Sequence, residues 1–454
     1  MTDPLEPPTP SASSSAVPLR LRPLGDAFDA VTAFFAAVVA AVTMFLPISF
    51  VTVRDSSPYL LSSLTSSVPR GAAIGVIIAT SVAVLACTAA RPATAWLAAL
   101  LGMFVQLINH IVGHNASSAD MLTTQNYVDA VCAGVVLGAL GAAVLRRPLP
   151  AMGFALGGVG FFLFSDLAEL LDIDDDPFAV LETPPRWLIA VALALLLLST
   201  LRNWSRAGKP ETAKISIELP VAPILAAMVL ALVILAVTEW LNRQYVTAPA
   251  IDHAVDIGIT AAATVFAATA AAMLLPKRDG VGIYLAISLT ATADAFGYAQ
   301  RPGWSIWLLV VLAAIGLLAG VRRPSTTLAV LLMIVIAVFA INTPADSNWI
   351  AFSIGSAILA LTAGYCCGTA WPAYPPSAVL AIAALYLPSV VGSLPDNTKS
   401  WHVDEGAAHN STPGRAALAI VLGSAVGLAV LYRLRPRGKP NRTGPTADEA
   451  LADI

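Results

Sequence analysis

The chain has 454 residues, 57% of them hydrophobic and 12% charged, with a formal net charge of −3. A soluble domain carries roughly twice that share of charge, so most of the solvating surface of a globular protein is missing. A slightly acidic chain has no global basic surface for nucleic acid either, and no nucleic-acid partner is expected.

Apolar runs of membrane-crossing length recur along the whole chain, which predicts an all-α, polytopic integral membrane helix bundle of about 14 transmembrane helices. Residues 1–24, with Pro7, Pro8, Pro10 and a serine run, read as a disordered cytoplasmic N-terminal tail. The first apolar run, 28–53, is too long for a signal-peptide core and lacks a small-residue cleavage box, so it reads as the first span. Further spans are read at 71–90, 93–114, 127–145, 151–171, 187–201, 220–241, 257–275, 281–299, 304–320, 325–342, 349–368, 376–393 and 416–432. The transmembrane bundle thus occupies 25–434, and 435–454 forms a basic, then acidic, cytoplasmic C-terminal tail.

Basic residues mark nearly every second connection: Arg91, Arg146-Arg147, Arg202 to Lys214, Lys277-Arg278, Arg322-Arg323, and Arg433 to Lys439. The connections between them are acidic or neutral. The positive-inside rule then places both termini in the cytoplasm. Trp187, Trp240, Trp304 and Trp349 fall at outer helix ends, as an interfacial belt requires. Alanine richness and the excess of arginine over lysine fit a bacterial plasma membrane.

Taken in chain order, the first residue of chemical interest is Pro47 in Phe-Leu-Pro, near the outer end of span 1. Pro388 in Tyr-Leu-Pro stands likewise in span 13, and the two are hinge candidates. His110 and His114 share one face at the outer end of span 3, with Gln106 one turn deeper. That spacing can hold a divalent cation or line a polar vestibule. The glutamate of a metalloprotease helix is absent between them. Asp129, Asp166, Glu169, Glu239 and Asp294 come close to, or lie inside, the membrane boundary. Ionisable groups at depth are costly and mark pathways or proton relays, so these five are proton-coupling or pathway candidates. Asp294, in Thr-Ala-Thr-Ala-Asp, is expected to face the interior near Asp129 or the histidine pair. The plainer alternative sets all of them among the headgroups. Cys87, Cys132, Cys366 and Cys367 show no metal or disulfide spacing.

Residues 67–92 and 411–436 align without a gap, sharing Ser-x-Pro starts and Arg-Pro ends. Duplication would make spans 1–2 and 13–14 equivalent hairpins, as in transporters built from repeats. Gly134, Gly138 and Gly141, and Gly423 and Gly427, give small-residue spacings for close helix approach. No Walker A sequence, no lysine within a span and no Gly-x-x-x-Asp-Arg-x-Gly-Arg loop of major facilitator transporters is present.

Three functions remain. The first is a transporter or lipid or envelope-precursor flippase with an outward-facing polar vestibule. The second is a non-catalytic subunit or scaffold of an envelope-assembly complex. The third is a membrane-embedded glycosyl- or acyl-transferase acting on a lipid-linked substrate, for which Asp55 in the first outer loop is the one indication. No cofactor is called for. The partners implied are the lipid bilayer, a lipid-linked or small-molecule substrate and, for a scaffold, other members of a membrane complex.

Overall fold

The computed structural model describes residues 21–44, 58–89, 92–113, 119–159, 184–205, 221–247, 253–297, 303–343, 349–372, 374–394 and 411–436. Within them the chain is an all-α bundle of fourteen helices without a strand. The first seven are α1 (Leu21–Met44), α2 (Pro58–Thr88), α3 (Pro92–Gly113), α4 (Ala119–Val144), α5 (Pro148–Val159), α6 (Arg186–Ser205) and α7 (Ala222–Thr247). The others are α8 (Ala254–Leu274), α9 (Val281–Phe296), α10 (Gly303–Arg322), α11 (Thr326–Asn342), α12 (Trp349–Thr369), α13 (Pro375–Ala383) and α14 (Thr412–Leu434). Ten are long and apolar enough to cross a membrane by length and composition, and α5, α9, α11 and α13 are shorter apolar helices. The chain is a multi-pass membrane protein.

Lipid offers no hydrogen bonds to a backbone, so helices that satisfy their own amides are the required element. The buried hydroxyls follow the same logic. Thr43, Thr80, Thr264 and Thr362 each donate to the carbonyl four residues back.

Helix ends depart from the apolar runs in several places. α1 starts at Leu21, so residues 21–24 belong to the bundle and Asp26 and Asp29 lie inside the helix. α2 starts at Pro58 and carries Pro69 within it. α6, read as a short span, has 20 residues. α13 is helical only to Ala383. One 3-10 turn, Ala384–Tyr386, follows, and Leu387 is extended just before Pro388.

The helix pairings repeat with an offset of eight. α2 packs most extensively on α4, and α10 on α12. α3 packs on α4 and α6, as α11 does on α12 and α14. α1 packs on α4, α5 and α6, as α9 does on α12, α13 and α14. Two six-helix halves, α1–α6 and α9–α14, therefore share one internal arrangement. The α7–α8 hairpin joins them, α7 lying on α2 and α8 on α14. The halves meet symmetrically: α5 touches α10 and α12, and α13 touches α2 and α4. This arrangement replaces the hairpin equivalence expected from residues 67–92 and 411–436. Under it α2 corresponds to α10 and α14 to α6.

The two closest pairings use glycine. A Cβ on Gly134 or Gly138 would collide with the backbone of Gly75 and Ala79 in α2. A Cβ on Gly364 or Gly368 would collide with that of Ala313 and Leu317 in α10. Backbone approach of this kind gives dispersion contacts that apolar side chains cannot supply in lipid.

One end of the bundle gathers the basic connections. Arg147 and Arg202 meet there, Arg435 donates to the carbonyls of Met273 and Lys277, and the Tyr365 hydroxyl donates to the Arg323 carbonyl. Both ends of the described chain lie at this basic end. Trp187 and Trp304 are exposed towards the far end.

Candidate functional site

Between the halves lies an apolar cleft walled by the turn after α4 and by α5, α9, α12, α13 and the turn that follows α13. It reaches the basic end at Leu145, Trp371 and Pro372 and extends inward to Leu289 and Leu385. Among the described residues, no charged side chain lines it, and Cys366 and Cys367 contribute its only thiols. Beyond its inner limit the halves close on each other. The Tyr386 hydroxyl donates to the Gly158 carbonyl at 2.7 Å, and Ile382 fills the space in which Gly158 would carry a side chain.

Asp294 lies about one and a half turns past Leu289 on α9. All of α9 is buried, Asp294 included. Its Oδ2 accepts from the hydroxyl of Ser389, whose oxygen in turn accepts from the Gly392 amide at 3.0 Å. A Cβ on Gly392 would stand 3.0 Å from that carboxylate oxygen, so the loop after Pro388 passes directly over the acid. Val390 and Val391 are buried there. Thr290 adds a second tie from α9, donating to the Leu385 carbonyl. The break in α13 thus places Ser389 on Asp294, and irregular backbone at depth is tolerated because protein surrounds it.

Asp129 belongs to a different cluster. On α4 it accepts from Asn109 of α3 at 2.9 Å, and its second oxygen stands 3.2 Å from His110 Nε2 without hydrogen-bond alignment. His110 is almost wholly buried, and Gln106, one turn deeper, donates to Thr43 of α1. Asp294 is buried and accepts from Ser389, while Asp129 and His110 stand together in the separate cluster. Glu239 is instead a far-end surface group, held by a two-pronged contact from Arg70 at 2.6 and 3.2 Å. Pro388 sits at the helix break. His114, Asp166, Glu169, Pro47 and Asp55 lie outside the described residues. Among the described residues, no three His, Cys, Asp or Glu side chains converge as metal ligands.

The densest polar cluster was not among the sequence candidates. Asp29 of α1 is fully buried and pairs with Arg147 at 2.7 Å and with Arg202. It also accepts from Ser199 at 3.0 Å and Asn203 at 3.3 Å, while Asp26 holds Arg147 at 3.1 Å. Arg202 further lies over the Phe28 ring. A carboxylate so surrounded is held in place by charge-assisted bonds. The signal existed, because Asp29 is an acid inside the apolar run 28–53. At the matching place in the second half, Asp279 precedes α9 and accepts from the Tyr374 amide at 3.1 Å. Burial raises the pKa of the Tyr374 phenol, the nearby Cys87 adds to that, and the guanidinium of Arg146 opposes both.

No protein-family model and no curated protein matches the chain. Several solved structures resemble it. A major facilitator superfamily proton:xylose symporter, XylE, bound to 6-bromo-6-deoxy-D-glucose is 13% identical; 91% of this chain and 94% of that chain are covered, with a TM-score of 0.49. The inward-open xylose transporter XylE from E. coli is 12% identical over 95% and 99%, with a TM-score of 0.48. The human organic anion transporter MFSD10 is 13% identical over 91% and 100%, with a TM-score of 0.35.

Proposed function

We propose that this chain is a membrane transporter whose two six-helix halves rock about their interface to move a small molecule or lipid-like substrate across the plasma membrane. The observation that carries this reading is the eight-helix offset in packing, with a cleft at the junction of the halves. Transporters made of repeated halves bind substrate at the repeat interface and expose it by moving one half against the other. The positive-inside rule assigns the basic end to the cytoplasm, so the cleft opens inward and both termini are cytoplasmic.

Asp294 supplies the coupling group in this reading. It is a buried acid beside an interrupted helix, beyond the closed end of the cleft. Its hydrogen-bond chain through Ser389 links its charge to the loop after Pro388. Proton uptake would weaken the charge-assisted bond from Ser389 and loosen that loop. Asp129 with His110 is a secondary candidate, and Asp166 and Glu169 remain candidates from the sequence alone. The polar outward vestibule would belong to a second state of the cycle, since the cleft described here faces the basic end.

Spin-label distances test the rocking motion without a known substrate. One pair, Leu149 with Val321, spans the halves at the basic end, and another, Val112 with Trp304, spans them at the far end. Reciprocal changes between two distance populations are expected when pH is varied in lipid nanodiscs. Single, invariant distances at both ends would favour the scaffold reading.

A further inference from the structure

We infer that the cleft at the basic end binds the alkyl tail of an anionic amphiphile, with Arg146 engaging its head group. The inference names the substrate class of the transporter proposed above and rests on that reading for its role, though not for the existence of the site.

Two independent features lead to it. The first is the wall. Leu145, Leu285, Leu289, Ile382 and Leu385 line an apolar space that is open at the basic end. A sugar or ion there would lose its hydrogen bonds to water and gain none from the lining, at a cost of several kcal/mol for each polar group. A hydrocarbon chain loses nothing. The second is the mouth. Arg146 directly follows Leu145 of the lining, is exposed, and has no ion-pair partner among the described residues. Its neighbour Arg147 is committed to Asp26 and Asp29. The nearby acid Asp279 is buried and turned to the Tyr374 amide. Lys277, also exposed, stands close to Gly282 of the lining in sequence. An exposed guanidinium one residue from the lining, close enough to Tyr374 to act on its phenol, complements a carboxylate or phosphate carried on an alkyl chain. Trp371, partly exposed at the same mouth, supplies the amphipathic ring that interfaces favour.

The test uses the full-length protein in nanodiscs of neutral phosphatidylcholine. The probes are palmitic acid with a diazirine near its tail, the matching neutral alcohol, and a phosphatidic acid carrying the same tagged tail. Crosslinks from the acid are expected on α9 and α13 at Ala286, Leu289 and Ile382. Arg146→Gln should lower labelling by the anionic probes about fivefold and leave the alcohol unchanged. As a readout independent of packing variants, fatty acid brominated along its tail should quench a larger share of emission in the wild type than in Trp371→Phe, the difference reporting the cleft above the bilayer quenching of exposed Trp187, Trp304 and Trp307. Labelling by phosphatidic acid but not palmitic acid identifies a bilayer lipid as the source, and the reverse identifies a free fatty acid. Equal labelling by acid and alcohol, or crosslinks confined to lipid-facing positions of α7 and α10, overturns the proposal. Site-specific binding without the reciprocal distance changes would retire the transporter reading and leave the site standing. Distance changes without binding would retire the site alone.

Discussion

Removing the carboxylate of Asp29 tests whether the polar cluster at the basic end holds the first half together. Asp29 is 0% exposed, while the side chains of Arg147 and Arg202 are 28% and 26% exposed. Breaking a fully buried ion pair by deleting one partner costs about 3–5 kcal/mol, because the remaining charge is stranded. Here the stranded guanidiniums reach water in part, which lowers the cost. Loss of the bonds from Ser199 and Asn203 adds back about 1 kcal/mol. Asp29→Ala should therefore destabilise the protein by about 2–4 kcal/mol. Arg147→Gln should cost only about 1 kcal/mol, since Arg202 still neutralises the acid. Equilibrium unfolding of the purified protein in mixed micelles measures these differences. Replacing Asp29 by Leu together with Arg147 and Arg202 by Met should recover much of the loss, as apolar replacement of buried ionic groups often does. An Asp29→Ala variant within about 0.5 kcal/mol of wild type would behave as a surface change. That result would refute the reasoning.

Asp294→Asn is expected to abolish coupled transport while leaving insertion and unfolding midpoint nearly unchanged, because the amide copies the shape of the protonated acid; flux or growth phenotype at equal protein level decides it. Ser389→Ala should change the pH dependence of the spin-label distances, and a profile identical to wild type would separate Ser389 from coupling. Gly364→Ala should destabilise by about 1–3 kcal/mol, the range for overpacking, because its Cβ meets the Ala313 carbonyl; a neutral result in the unfolding assay would show that α10 and α12 can separate. Tyr386→Phe should cost about 1 kcal/mol from the lost bond to Gly158 and raise thiol labelling of Cys367 as the halves loosen. Reporter tags after Arg147 and Arg323 should lie in the cytoplasm, and tags at Asp174 and His402 outside; a tag at Asp174 reached from the cytoplasm would overturn the crossing order.

Much of the architecture was legible because two sequence signals are nearly sufficient for a membrane bundle. Apolar runs mark the helices, and arginines mark alternate connections, so fourteen elements in the right order follow from them. Helix ends were less legible. Hydropathy falls at charged residues even where the helix continues, as at Asp26 and Asp29, whose charges are matched by partners more than a hundred residues away. The same long-range matching hid the cluster itself. Arg147 and Arg202 register in sequence only as markers of membrane side, although their guanidiniums also neutralise a buried acid. Asp294 was legible because an acid within an alanine and threonine run is costly to place in a bilayer and so stands out from its neighbours. Its partner was not, because a serine after Pro388 carries meaning only once α13 breaks before it.

The repeat shows how local identity and spatial equivalence separate. Residues 67–92 and 411–436 share Arg-Pro ends, yet α2 and α14 hold different places in their halves. An Arg-Pro step satisfies two local demands at once, charge at the cytoplasmic surface and a helix start that needs no amide donor. Any basic-end connection can acquire it, and Arg146-Arg147-Pro148 and Arg322-Arg323-Pro324 have done so as well. Glycine spacing carries different information, because it is set by which two helices touch. Gly71 and Gly75 on α2 face α4, which presents Gly134 and Gly138, while Gly316 and Gly320 on α10 face α12, which presents Gly364 and Gly368. Those four glycine pairs, each spaced by four residues, match the eight-helix offset seen in the packing. The residues that report the repeat are thus the ones that allow backbones to meet, and the more conspicuous Arg-Pro matches report only the side of the membrane.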